Sequence, residues 1–383
     1  MSFVAPTSSV DSITSRCRAF AIALCVLLAA VGLAGTARAQ FAAPVGAAPD
    51  AEPPVFSASS PVGELVYQSG RGFRFGDTGL TIGGFTTIEI DDEEHGNATV
   101  ELDSVNFLIL YEPIAPLRFF AEIEVGGLAV WEPERDDFDS DADFVVERLY
   151  GDWSHSDALN LRIGKFQTPV GRWNLVPAEP FVWTAVEPVQ LDLGFDEHQT
   201  GVAAFGTFYP GDNPLRYWIY GQVVDAFDVD SEDEPADRSG GGRLEYGSAL
   251  GDWSVGGSLL AFERKGEWQY LAGLDAQLEL GPLLLQSEAI FSEGGIPDRD
   301  LWSVYVQGVY DLGVHHRLLH RLHVVVRFEH FDPDGRPEDA NVWDVGLYWM
   351  PRPWLNFKAG YRFSDRVTDD VIEGVTASIS VLF

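Results

Sequence analysis

The chain has 383 residues and a formal net charge of −34, a balance that opposes binding to nucleic acid. Its two cysteines, Cys17 and Cys25, both precede residue 40, so residues 40–383 offer no disulfide, thiolate metal site or cysteine nucleophile. Beyond residue 39 no window reaches the roughly 20 uninterrupted apolar residues of a helical membrane span.

In chain order, a polar start with Arg16 and Arg18 leads into an apolar run from Ala19 to about Gly35 and then Ala37-Arg38-Ala39. That is the build of a secretory signal peptide over 1–39, with cleavage expected after Ala39. Residues 40–77 are a Pro/Ala-rich lead, expected to act as a tether and too short for a plug domain. From residue 78 the pattern changes to short alternating apolar and polar runs rich in Trp, Tyr, Phe and Gly. Sixteen candidate strands fit, at 79–91, 99–111, 117–131, 143–153, 159–168, 200–209, 215–225, 241–248, 252–264, 267–280, 282–292, 301–311, 321–331, 341–350, 354–364 and 373–383. The predicted fold is all-β, a 16-stranded antiparallel transmembrane β-barrel over 78–383. A soluble β-sandwich or β-helix is the competing reading.

The connections alternate in character. One set is short and turn-like, such as Pro210-Gly211-Asp212-Asn213-Pro214 and Pro351-Arg352-Pro353. The other is longer and acidic, such as Glu132 to Asp141, Ala226 to Gly240 and Asp332 to Ala340. Barrels of the Gram-negative outer membrane have short periplasmic turns and long outer loops, which puts both termini and the lead in the periplasm. Alternation within strands places Val375, Ile379, Val381 and Phe383 toward lipid. It turns Arg118, Glu122 and Glu124 inward, together with Arg162, Asp275, Glu279, Glu288, Arg327, Glu329, Asn356, Lys358 and Arg362. Unpaired charge is costly in a dry core, so a wet lumen is expected. Trp253, Trp268, Trp302, Trp343, Trp349 and Trp354 fall near strand ends, where indoles suit the headgroup level.

One stretch breaks the alternation. Residues 169–199 carry Pro169, Pro177, Pro180 and Pro188 without a sustained period, and so long a connection inside a compact domain is usually functional. It follows the fifth of sixteen strands and is entered through Gly164-Lys165-Phe166-Gln167-Thr168-Pro169-Val170-Gly171. With Arg148 to Trp153 just before it, this stretch resembles the phosphate-selective porin O/P family, in which a Gly-Lys-Phe-x-x-Pro-x-Gly run leads into the third loop. The resemblance rests on Gly164, Lys165, Phe166, Pro169 and Gly171. It implies a porin, commonly a homotrimer, with an inward-folded third extracellular loop that constricts the pore and passes small anions. Anion selectivity is not carried over, because Arg172 is the only Lys or Arg between Val170 and Gln199, against Glu179, Glu187, Asp192, Asp196 and Glu197.

The expected mechanism is a diffusion channel for small hydrophilic solutes and ions. Glu179, Glu187 and Asp192 form the acidic side of its constriction, and Arg118, Arg162, Lys358 and Arg362 form a basic wall opposite. Acidic outer loops favour cations. Ordinary salt bridges or plain solvation are the blander account of the same residues. No cofactor or metal is expected. Asp228, Asp230 and Glu232 alternate as calcium ligands do but lack the glycine of a sharp loop, and the cluster of His315, His316, His320 and His323 reads as a solvated turn. Gly-x-Ser-x-Gly, paired-His zinc and phosphate-loop motifs are missing, which disfavours a barrel hydrolase. A structural barrel with little conductance is the other alternative. The partners expected are the bilayer, lipopolysaccharide, small solutes and further copies of the chain.

Overall fold

A computed structural model describes residues 55–61, 63–93, 98–132, 137–140, 142–224, 236–296, 300–333, 340–365 and 373–383. The expected signal peptide over 1–39, the first part of the lead and the acidic run 225–235 lie outside the described residues, as do 94–97, 133–136, 334–339 and 366–372.

Three short strands come first, β1 (Val55–Ser60), β2 (Gly63–Gln68) and β3 (Gly72–Phe75). Next are β4 (Leu80–Glu93), β5 (Ala98–Ile114), β6 (Leu117–Glu132), β7 (Asp137–Asp139), β8 (Asp143–Ser156) and β9 (Leu159–Gln167). Beyond residues 168–197 come β10 (His198–Phe208), β11 (Leu215–Gln222), β12 (Arg238–Gly247), β13 (Trp253–Arg264), β14 (Glu267–Leu280) and β15 (Leu283–Gly294). The chain finishes with β16 (Leu301–Asp311), β17 (Leu322–Pro333), β18 (Ala340–Arg352), β19 (Leu355–Ser364) and β20 (Gly374–Leu382).

From β4 onward, leaving aside the three-residue β7, every strand pairs antiparallel with the next. The ring closes where β20 pairs with β4, from Leu382↔Phe85 to Gly374↔Glu93. The result is a closed barrel of sixteen strands, and each predicted strand overlaps its observed counterpart. Closure leaves the ring no unpaired edge. The last residue completes the seam, with Phe383 N donating to Gly84 O at 2.8 Å and Gly84 N donating to Phe383 O at 3.0 Å.

Period-two alternation sets the two faces. Along β9, Leu159, Leu161 and Ile163 point outward, Ile163 being 64 % exposed, while Arg162 points in. Along β16 the odd positions Ser303, Tyr305, Gln307 and Val309 are buried inside and the even ones lie outside. An apolar outer face with polar groups such as Gln269, Asp275, Glu288, Arg327 and Glu329 inside is the reverse of a soluble protein. The interior is nevertheless not wet throughout. Phe166, Val170, Trp173, Leu191 and Phe195 pack with Tyr220, Leu260, Phe262, Leu271, Ile290 and Tyr305 into one cluster within the barrel. The apolar side chains of residues 168–197 cover those of the wall there and exclude water.

Part of the lead departs from the tether reading, since β1, β2 and β3 form an antiparallel meander. It joins the barrel through Phe73↔Ile82 and Arg74↔Thr81, at the end of β4 that β20 leaves free. Alternation of Leu65 and Tyr67, then of Phe73 and Phe75, carries this signal in the sequence.

Gly164 has φ +133°, and a Cβ on it would collide with the carbonyl oxygen of Leu149 on β8. This twist sits where β9 ends and the irregular segment begins. Gly164→Ala is expected to cost about 1–3 kcal/mol, the usual strain of a non-glycine residue held in such a conformation. The check is loss of the compact, heat-modifiable form in gel electrophoresis at lower temperature than for the wild type.

Candidate functional site

Residues 168–197 leave β9 and return to β10 through a closed neck. Thr168 N donates to Glu197 O at 2.6 Å, Thr168 Oγ1 to Asp196 O at 2.7 Å, and Asn174 Nδ2 to Thr168 O at 2.8 Å and Glu197 O at 3.1 Å. Arg264 pairs with Asp196, and Ala236 N donates to its Oδ2 at 2.8 Å. Four prolines keep the segment out of the ladder, since proline cannot donate to it. It forms two short 3-10 turns (Trp173–Leu175 and Glu179–Phe181) and a six-residue helix (Val189–Gly194).

Interior side chains of the wall hold the segment by its backbone. On one side Gly171 N donates to Ser258 Oγ at 3.3 Å and Trp173 N to Glu288 Oε1 at 2.6 Å, the same oxygen taking Tyr305 Oη at 2.7 Å. Arg172 reaches Ser254, Gln277, Glu245 at 3.5 Å and Asp275 at 3.7 Å, beside an Arg243–Asp275 pair. On the other side Asn356 Nδ2 donates to Pro180 O at 3.1 Å, and Lys358 Nζ donates to Glu179 O and, at 3.1 Å, to Thr184 O. Trp183 packs against His323 and Tyr348, with ring centroids 5.2 and 5.0 Å apart. Asn356 and His323 start β19 and β17, so these contacts lie near the Phe383 end, although the segment departs from the opposite end.

The firmest attachment centres on Arg327, which has no exposed surface. It donates to Thr184 Oγ1 at 3.0 Å, Val186 O at 2.9 Å and Glu187 O at 3.0 Å, and its Nε donates to Asp344 Oδ2 at 3.0 Å. Arg362 adds Nε to Asp344 Oδ1 at 2.8 Å and Nη2 to Glu187 O at 2.8 Å. One carboxylate thus orients two guanidinium groups, and both deliver N–H donors to the segment's carbonyls, which are otherwise expensive to bury. Gln190 N donates to Glu329 Oε1 at 3.1 Å on the same wall.

The wall of β4, β5, β6 and β8 has a different lining. Glu89 and Asp91 point inward while Ile88 and Ile90 are exposed on the outer face, and Glu89 stands directly opposite Glu101 in the β4–β5 register. A bulge between Leu102 and Ser104 inserts Asp103, and bulges characteristically re-aim a side chain. Glu89 is within Coulombic reach of Asp103, Glu179 and Asp91, and of the Lys358 ammonium, and Glu124 within reach of Glu147, Asp103 and Glu179. Among the described residues Glu89, Glu101, Asp103 and Glu124 enter no ion pair. Like charges opposite one another destabilise a sheet, so this is a concentration of negative potential held at a cost. Burial, with the charge of Asp103 adding to it, pushes the Glu179 carboxyl above the usual carboxylate range.

The residues singled out in the sequence therefore divide. Lys358 and Arg362 meet Glu179 and Glu187, but through backbone carbonyls of the segment rather than across a gap. Arg162 makes a two-pronged bond to Asp152 at 2.7 and 2.9 Å beneath the Tyr150 ring, 3.6 Å from its centroid. Arg118 is exposed and pairs with Glu112 at 2.9 Å beside a turn, remote from Glu179 in the contacts it makes. The side chain of Asp192 lies outside the described residues. Of the motif residues, Phe166 is wholly buried in the interior cluster, Lys165 is buried, and Gly171 passes close against Glu288. The sequence reading missed Asp344 and Thr184 as anchors and Glu89, Glu101 and Asp103 as lining. For the last three, Ile88-Glu89-Ile90-Asp91 alternates as plainly as any strand in the chain.

No family model matches the chain, and no curated protein matches it. Solved structures do. OmpF of Salmonella typhi in complex with daunomycin is 11% identical with TM-score 0.58, covering 79% of this chain and 97% of its own. An anion-selective porin from Comamonas acidovorans is 12% identical with TM-score 0.54, over 79% and 98%. The trimer form of OmpT, an outer membrane protein of Vibrio cholerae, is 12% identical with TM-score 0.53, over 79% and 98%. At these identities the likeness establishes the fold alone.

Proposed function

We propose that the chain is an outer-membrane porin, a water-filled channel for small hydrophilic solutes, in which residues 169–199 narrow the lumen. A closed sixteen-strand barrel with an apolar outside and a polar inside carries this reading. Porins and outer-membrane proteins among its structural neighbours support it, and a homotrimer is the assembly it implies. The apolar cluster and the anchors of the segment lie mainly along β10 to β19, while its turn at Glu179–Phe181 also meets β4 and β20, so we read the passage along β4 to β8. There Glu179 shares the lumen with Glu89, Asp103 and Glu124, while Arg243, Arg327 and Arg362 are committed to Asp275 and Asp344. In place of an acidic segment facing a basic wall, we read a passage in which carboxylates on both sides outnumber the cations, with Lys358 beside Glu179 and Glu89 and Arg148 paired to Glu122. A ring of carboxylates attracts cations and repels anions. We assign no phosphate selectivity.

Purified protein in a planar bilayer is expected to give stepwise, ohmic conductance. In a KCl gradient its reversal potential moves toward the potassium value. Neutralising a carboxylate weakens cation preference, and the Glu179 carboxyl is protonated more readily than an ordinary one. The preference should therefore fall on acidification, beginning above the pH at which ordinary carboxylates titrate. Correctly folded protein without any open state would mean a structural barrel instead.

A further inference from the structure

We infer that the connection between β16 and β17 is a binding surface for anionic phospholipid headgroups; this rests on the membrane-spanning reading above. In a chain of net charge −34, residues 312–323 contain no Asp or Glu, while His315, His316, Arg317, His320, Arg321 and His323 fall within them. Four of the chain's eight histidines lie in these twelve residues. The connection is ordered, as two 3-10 turns (Leu312–Val314 and Arg317–Leu319). Asp311 caps the first by accepting from Gly313 N at 2.7 Å, and His316 Nδ1 caps the second by accepting from Leu318 N at 3.1 Å.

Its placement selects the partner. The connection lies at the Phe383 end of the barrel, where the other described turns, such as Gly281-Pro282 and Pro353-Trp354, are tight. His315 stacks on Tyr310, with centroids 5.7 Å apart and Nε2 2.9 Å from the Tyr310 hydroxyl. Tyr310 belongs to the outward set of β16, so the stack ties the connection to the lipid-facing surface. Beside it Leu322 pairs in register with outward Trp349, which stacks on Phe357 at 5.4 Å. Aromatic side chains in this position mark the headgroup level. Just beyond them Leu318 is 81 % exposed and Val314 52 % exposed, next to exposed His316 and Arg317. Exposed apolar side chains interleaved with cations suit the boundary between acyl chains and phosphate, where the apolar groups dip in and the cations meet the phosphodiester. A soluble anion would give Leu318 and Val314 nothing to bury against. The occupant is therefore a phospholipid with net negative charge in the leaflet on the Phe383 side.

The experiment uses full-length protein in nanodiscs of phosphatidylethanolamine with a minor fraction of either phosphatidylglycerol or phosphatidylcholine, and counts retained lipids by native mass spectrometry. Phosphatidylglycerol should be retained over phosphatidylcholine about fivefold for each basic side chain engaged. The pair Arg317→Gln and Leu318→Gln should remove most of that preference while conductance and heat-modifiability stay at wild-type levels. Equal retention of the two lipids, or a preference the pair leaves unchanged, overturns the inference. So does tight binding of soluble polyphosphate to the detergent-solubilised protein that the pair abolishes without any lipid preference. A protein that retains phosphatidylglycerol and does not conduct would count against the channel alone.

Discussion

Replacing Arg327 with methionine is expected to raise single-channel conductance several-fold and to make it noisy, because the segment's middle loses its main attachment. Three of the donors that hold Thr184, Val186 and Glu187 come from this one guanidinium. Methionine fills similar volume but takes the donor from Val186 O and from the Thr184 hydroxyl oxygen, and leaves Glu187 O and Asp344 to Arg362 alone. Removing one partner of a buried, hydrogen-bonded charge pair costs on the order of 3–5 kcal/mol. Arg362 still holds Asp344 at 2.8 Å and Lys358 still holds Thr184 O at 3.1 Å, so the ring of strands should close normally while the segment becomes mobile within it. The paired control is Arg162→Met. Arg162 bonds to Asp152 and to no residue of 168–197, so its loss should lower stability without widening the channel. Single-channel recordings of the two variants separate the effects, and equal conductance in both would count against residues 184–187 as part of the constriction.

The second large effect is on selectivity. Neutralising Glu89, Asp103, Glu124 and Glu179 together, as Gln or Asn, should bring the reversal potential in a KCl gradient close to zero. Glu179→Gln alone should give a partial shift, since Asp103 and Glu89 share the same region of the lumen. The substitutions should also stabilise the barrel slightly, because Glu89 and Glu101 stand opposite each other as like charges. Gain in stability with loss of selectivity is the signature of side chains kept for transport rather than for folding. Neutralising Glu245 is the contrast: it pairs with Arg216 at 2.6 Å and Arg172 at 3.5 Å, and its loss should leave stray positive charge and lower stability.

Most of the barrel was legible because its signal is local and repeated. The strand containing Trp253 to Arg264 can be read from alternation alone, and the connections confirm the count. Inward residues such as Arg327, Glu329, Lys358 and Arg362 follow from the same parity. What parity does not carry is the partner of each inward charge, which depends on a segment without any period. Lys358 and Arg362 look like pore-facing cations in the sequence, and in the fold Lys358 spends its donors on backbone carbonyls and Arg362 on Asp344 and the Glu187 carbonyl. Val170, Trp173, Leu191 and Phe195 read as scattered apolar residues among prolines, yet they pack against Leu260, Phe262 and Tyr305 as an internal core. Leu260, Phe262 and Tyr305 lie 65 or more positions further along the chain, so no short window of the sequence contains this packing. The bulge at Asp103 is a register event and equally invisible to composition.

The account depends on Asp103 facing water inside the barrel while Ile163 faces lipid. Since residues 40–383 contain no cysteine, single substitutions can be probed without background. Asp103→Cys and Ile163→Cys should be compared in planar bilayers during addition of a cationic, membrane-impermeant methanethiosulfonate. Asp103→Cys is predicted to lose current in discrete steps and Ile163→Cys to show no change. Block at Ile163→Cys with none at Asp103→Cys would contradict the assignment of the two faces and the channel built on it.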